Sequence, residues 1–365
     1  MCSARAMQEA ERLMRICNAC RYCEAVCPVF PALERRRIFP RADLVFLANL
    51  CHECGACYTA CQFSPPHEFD VNLPRVLAEV RSESYGDSVW PRAMSGLLAR
   101  NGVWISVVLA LSVAGFIAGM VGVRTPGALL EARVGPGAFY ELMPHAIMVS
   151  LFGAAFSFAM TALYMSAREF RRAMQLPAST SAASWRQAVK LAASLHHLES
   201  GDGSCVNTED GPDRRRLFHH MTAYGLLLCL ASTVVATIYH YVLGREAPYP
   251  LFDLPVVLGT VGGIGMLFGS LGLFIARLTR VAMLRSTANA GIEVAFLVML
   301  FLTSLSGLML LALREAPVMG VLLALHLGVV FALFATLPYS KMVHGLYRLL
   351  ALVRHTEESG TPDGA

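Results

Sequence analysis

"CNACRYCEAVCP" at residues 17–28 and "CHECGACYTACQ" at residues 51–62 place eight cysteines in two matched quartets. Cys17, Cys20, Cys23 and Cys27 follow C-x2-C-x2-C-x3-C, with Pro28 next. Cys51, Cys54, Cys57 and Cys61 repeat the spacing, with Gln62 where the proline would stand. The first residues, "MCSARAMQEAERLMRI", have no apolar signal core, so the N-terminus is expected to stay in a reducing compartment, where such spacing binds metal and not disulfides. The pattern is that of bacterial two-cluster ferredoxins. Three thiolates at two-residue intervals wrap one cubane, and the fourth, three residues on, points to the other. Cys17, Cys20, Cys23 and Cys61 are therefore expected to hold one [4Fe–4S] cluster, and Cys51, Cys54, Cys57 and Cys27 the second. Structural zinc wants two CxxC pairs across a longer spacer and fits poorly. Cys2, Cys205 and Cys229 have no neighbour at ligand spacing, and Cys229 reads as a small apolar helix residue.

Outward from the quartets the chain changes character. Its 365 residues are 55% hydrophobic and 15% charged, with a mean hydropathy of +0.52, too apolar for an ordinary soluble domain. Six windows, near 103–123, 144–166, 220–243, 254–276, 293–313 and 317–340, reach the length of about 20 residues needed to cross a bilayer. The expected fold is mainly α. Residues 1–100 form an α-helical, ferredoxin-like two-[4Fe–4S] domain, 101–350 a six-helix transmembrane bundle, and 351–365 a disordered tail. Of the 30 basic residues, all but Arg124, Arg133, Arg245 and Arg314 fall in the N-terminal domain, the 167–218 and 277–291 loops or the C-terminal region. By the positive-inside rule both termini and the long loop are cytoplasmic, in a multi-pass protein of the bacterial inner membrane. Only two of the 30 are Lys, and no basic and aromatic interleaving argues for nucleic acid. Residues 90–101 read as an interfacial lead-in, and 183–199 as a helix lying on the inner membrane face. "GTVGGIGMLFGSLG", residues 259–272, sits inside a span and follows no strand. Gly259 with Gly263, and Gly265 with Gly269, therefore read as small-xxx-small packing pairs, not a dinucleotide loop.

Histidines at membrane depth are functional candidates by default. His219 and His220 open the third span, His240 closes it, His326 lies within the sixth, His344 follows its end and His145 opens the second. His326 and His344 are 18 residues apart, about five full helical turns. His219 and His240 come within about 60° of eclipsing. If the third and sixth spans face each other, His219 can pair with His344 and His240 with His326, each pair able to hold a b-type haem. Pro338 could upset this phase, so His220 stays a candidate, and His145 is the substitute in the outer pair. A proton path is the competing use. His196, His197 and His355 lie outside the spans and read as surface residues.

The stretches "LANLCHECGACYTACQFSPPHEF", "RRRLFHHMTAYG", "TIYHYVLG", "PYPLFDLPVVLGTVGG" and "HLGVVFALFATLPYSKMVHGLYR" resemble the tricarballylate (citrate) utilisation protein B family over nearly the whole chain. The bundle is more distantly similar to the nitrate reductase gamma subunit, an analogy of fold alone. The family resemblance implies two [4Fe–4S] clusters, one or two b-type haems and a partner. That partner is an FAD-dependent dehydrogenase, tricarballylate dehydrogenase-like, whose reduced flavin delivers electrons that pass to membrane quinone. The chain has no flavin fingerprint and no soluble substrate domain, so it is expected to be the electron-transfer component and not the substrate-oxidising subunit. A redox-responsive membrane transporter or sensor is the alternative, disfavoured by the lack of an inverted repeat.

Overall fold

In a computed structural model of the chain, residues 4–24, 27–96, 102–123, 126–198, 214–280, 282–284 and 290–360 are described. Cys2, Cys205 and part of the 90–101 lead-in lie outside them. Helices supply all the regular structure among the described residues, which contain no β-strand. The N-terminal region is built from α1 (Ala4–Cys20), α2 (Val29–Glu34), α3 (Arg41–Leu50), α4 (Ala56–Thr59) and α5 (Leu73–Ser88). Helix α3 is apolar almost all round and buries eight of its ten residues, as expected of a helix enclosed on every side. Asn72 caps α5 by accepting a bond from the Arg75 amide (3.3 Å), which satisfies one of the orphan donors of its first turn.

Six helices are long and apolar enough to cross a membrane. The first five are α6 (Val103–Val123), α8 (His145–Ala173), α10 (Arg215–Leu243), α11 (Leu254–Leu278) and α12 (Ala290–Ala312), with the short α7 (Ala138–Leu142) and α9 (Ala182–Ser194) between spans. The sixth span departs from expectation. Its helix α13 runs Met319–Thr336, gives way to a 3-10 turn at Leu337–Tyr339, and resumes as α14 (Val343–Gly360). Pro338 has no amide to donate and its ring opposes the preceding turn, which ends α13 there. His326 and His344 therefore lie on different helices, and the phase argument that put them on one face does not apply.

The expected facing of third and sixth spans is also replaced. Helix α10 packs chiefly on α11, while α13 packs on α6, α12 and α8. Glycine draws α10 to α11. A Cβ at Gly262 would fall 2.7 Å from the Gly225 carbonyl oxygen, and one at Gly269 would fall 2.6 Å from the Thr222 amide nitrogen. Only glycine lets the two backbones come this close, the means by which membrane helices associate without a hydrophobic drive. The packing reading of 259–272 is thus right in kind. Gly259, Gly262, Gly265 and Gly269 all face α10, with the backbones closest at Gly262 and Gly269, while Gly263 faces Leu308 on α12.

The C-terminal residues 351–360, expected as part of a disordered tail, are instead the second half of α14. The reason is burial on the N-terminal region. Leu350 to Val353 are in one core with Leu13, Phe46 and Leu77. Arg36 meets Asp43 (3.0 Å) and Glu358 (2.6 Å), while Arg354 meets the same two carboxylates (2.5 and 2.9 Å). Both guanidinium groups lie over the Phe46 ring, 4.9 and 4.5 Å from its centroid. Phe170, near the end of α8, stacks on Tyr347 at 4.2 Å. Helix α9 packs on α14, and its Trp185, Ala188 and Leu191 join this core.

Two measurements check these contacts. Gly269→Val should push α10 from α11 and lower stability by about 1–3 kcal/mol, read as an earlier thermal transition in detergent. Arg354→Ala leaves two carboxylates short of a partner and should cost about 3 kcal/mol, against under about 1 kcal/mol for Arg12→Ala in the exposed pair with Glu9.

Candidate functional site

The eight quartet cysteines are all free thiols and gather at one region through local backbone geometry. Cys17 and Cys20 share a face at the end of α1. Arg21 then takes a positive φ of 55°, Glu53 one of 53° and Gly55 one of 87°. These left-handed turns curl each loop back on itself, at some strain where the residue is not glycine. Cys17, Cys20, Cys23 and Cys61 line one pocket, Cys27, Cys51 and Cys54 a second, and Cys57 lines both. Among the described residues no three His, Cys, Asp or Glu side chains are arranged to hold a single metal ion. The thiols ring two cavities instead of converging on a point. Burial, then the neighbouring Cys61 thiol, pushes Cys17 up to about 12, and burial with Cys51 does the same to Cys27. Such thiols ionise only against bound positive charge, which fits a metal–sulfur group in both cavities.

The two cavities differ in surroundings. The first opens beside Tyr22, which is 71% exposed, and the Gln62 amide approaches Cys20 Sγ at 3.9 Å. The second is held against the bundle by arginines on its loop. The Cys51 carbonyl accepts from Arg81 (2.6 Å) and Arg348 (2.9 Å), and the Glu53 carbonyl from Arg280 (2.6 Å) and Arg215 (3.3 Å). The Glu53 carboxylate meets Arg81 at 2.7 Å. Burial alone would raise that carboxyl, but Arg81, Lys341, Arg280 and Arg215 hold it down to about 2. The Glu53 amide donates to Cys51 Sγ (3.4 Å). His197, read from sequence as a surface residue, instead lines the second pocket, with its ring 5.7 Å from that of His52. The short turn at His196–Leu198 after α9 brings it there.

The histidines sort into separate groups. His219 and His344 meet, ring centroids 5.9 Å apart and nearly perpendicular. His344 Nδ1 pairs with the Lys341 carbonyl, the kind of bond that orients an imidazole so that its other nitrogen can take a metal. Nδ1 of His219 is buried without a hydrogen-bond partner. Both residues stand one turn from the arginines of the second cysteine loop, His219 four residues after Arg215 and His344 four before Arg348. His220 turns aside to the Ala193 carbonyl (3.2 Å). The expected His240–His326 pair is not formed. His240 stacks on His145 at 3.7 Å, 20° from parallel, with Tyr140 beside both. His326 bonds Ser306 Oγ through Nδ1 (3.0 Å) in a gap left by Gly307. With α10 packed on α11, His240 is carried away from α13. The faces of two stacked imidazoles leave no room for iron between them, so the outer pair does not fit axial ligation as it stands.

Arg81, Arg215, Arg280, Arg348, Glu53 and His197 were not foreseen as site residues. Arg215 and Arg348 carried a signal in retrospect, because "RRRLFHH" and "HGLYR" set arginine and histidine four apart on one helix face.

With this geometry established, the likeness to known proteins is plain. Residues 10–87 match the family described as Citrate utilization protein B Fer4-like domain, and residues 99–365 that described as Citrate utilization protein B. An Escherichia coli protein named Citrate utilization protein B is 44% identical over 348 residues, covering 95% of this chain and 91% of that protein. No solved structure matches. The chain therefore belongs to the Citrate utilization protein B family, with a Fer4-like domain ahead of six candidate membrane-spanning helices.

Proposed function

We propose that the chain is the membrane electron-transfer subunit of a citrate-utilisation system, serving a tricarballylate dehydrogenase-like flavoprotein. It would accept electrons from the reduced flavin of a dehydrogenase partner and deliver them to membrane quinone, with the cysteine domain on the cytoplasmic side of the inner membrane. The observation that carries this reading is the alignment of three sites. One thiol-lined cavity lies beside the exposed Tyr22, the loop of a second is held on the bundle by arginines, and a histidine pair lies one helical turn, about 5.4 Å, beyond those arginines. Bound [4Fe–4S] clusters and a b-type haem would supply one-electron carriers, which split the electron pair of a reduced flavin.

The chain's residues serve this in distinct ways. Cys17, Cys20, Cys23 and Cys61 would hold the outer cluster, and Cys27, Cys51, Cys54 and Cys57 the inner one. The two lining sets support this crossed pairing, with Cys57 assigned to the inner set by its place in the motif. His219 and His344 would hold a single haem, with the Lys341 carbonyl fixing the His344 tautomer. The apolar flanks of α6, α8 and α10 would keep water from this end of the path.

Iron and acid-labile sulfide tests the first half. Anaerobically purified protein should contain about eight irons per chain, Cys54→Ser should lose about half of them, and zinc in their place would refute the assignment. Visible spectra test the second half. His344→Ala should abolish reduced b-type haem bands while keeping its iron–sulfur content, and His240→Ala should leave the haem bands in place. Full haem in the His344 variant would show that the pair is not the ligand set.

A further inference from the structure

Burying a guanidinium group is costly unless an anion answers it. The second cysteine loop gathers four, Arg81 and Arg348 on the Cys51 carbonyl and Arg215 and Arg280 on the Glu53 carbonyl. The Glu53 carboxylate forms an ion pair with Arg81. The next acid in the seam, Glu293, is engaged by Lys341 at 2.5 Å and by Arg277. Arg348 forms no ion pair among the described residues and bonds only backbone carbonyls, so with Arg81 and Glu53 it leaves positive charge on the Cys51 side of the loop. At the first cysteine loop the guanidinium seen on a carbonyl, among the described residues, is that of Arg21 on Asn18 (3.2 Å). Arg21 is exposed there, and water screens its charge.

This asymmetry acts on charge that changes during function. Reducing a thiolate-ligated iron–sulfur site adds one negative charge and no bond, and nearby buried cations favour the more negative state. The amide of Glu53 on Cys51 Sγ acts in the same direction.

We infer that Arg81, Arg215, Arg280 and Arg348 set the reduction potential of the second site above that of the first, making the bundle-side cysteine quartet the resting place of an electron received at the solvent-side quartet. This rests on the electron-transfer reading above. The first site would gain one electron from the reduced flavin of the partner and lose it to the second. The second would in turn yield it toward the histidine pair and quinone. No proton or covalent bond moves between the two cysteine sites. The arginines position charge and touch no substrate.

The test is an anaerobic redox titration of the full-length protein in detergent, followed by electron paramagnetic resonance. Cys20→Ser and Cys54→Ser variants assign each signal to its quartet. In the unsubstituted protein the Cys54-dependent signal should have the higher midpoint. Arg280→Gln and Arg348→Gln should each lower that midpoint by the equivalent of about tenfold in the one-electron equilibrium, about 59 mV. The Cys20-dependent signal should stay in place, and Arg21→Gln should move neither. Glu53→Gln, nearly isosteric, should raise the Cys54-dependent midpoint, and it decides the matter if the arginine variants fail to assemble. A higher midpoint on the Cys20-dependent signal, equal shifts of both, or an unmoved or lowered midpoint in Glu53→Gln would each overturn the inference while leaving the electron-transfer reading standing. No iron–sulfur signal in the unsubstituted protein would overturn both.

Discussion

The structure turns on one electrostatic constraint. A thiol-rich loop and a ring of arginines are both pressed into the seam between the cysteine domain and six apolar helices. Buried guanidinium groups are tolerable there only where polar or charged groups answer them. Backbone carbonyls of the second cysteine loop, Glu53 and Glu293 do so. The loop is thereby tied to the bundle, one helical turn from the histidine pair. The arginines that hold the loop come from α5, α10, α14 and the segment after α11. Four separate parts of the chain thus converge on a few backbone atoms.

Much of this was legible from residue order. Cysteine spacing indicated two thiol-lined sites, and the structure has two such cavities, because thiolate reach is a local property of three or four residues. Span count and length were legible for a similar reason, since bilayer thickness sets them directly. What could not be read was how the spans pair. Helix phase assumes a continuous helix, and Pro338 ends α13 before His344 is reached. Pairing of the third span depended on whether glycines on α11 faced α10 or α13. The stretch at 259–272 offers glycines on more than one face, and only packing turns Gly259, Gly262, Gly265 and Gly269 to α10.

The histidines show both outcomes side by side. His219 and His344 meet as the sequence suggested, but for a different reason than shared phase. The break at residues 337–339 redirects the chain so that α14 brings His344 back to the start of α10. In the outer pair His326 stays with Ser306 on α12, and His240 instead meets His145 on α8, the substitute that the sequence offered. The surface reading of His197 failed because sequence shows hydrophilic loops without showing what folds over them.

The core around α14 has a bearing on biogenesis. Translation releases the cysteine domain first, yet its apolar interior is closed by residues from the last twenty or so positions described, and by α9 in the middle loop. The earliest part of the polypeptide to emerge is thus the last to be sealed. All of the first five candidate membrane-spanning helices, and α13 of the sixth, are made before Tyr347, Leu350 and Arg354 arrive to cover it. Loading of the cysteine cavities, where it precedes that step, would take place in a half-built and accessible domain, and the closing of α14 would then lock the cargo in.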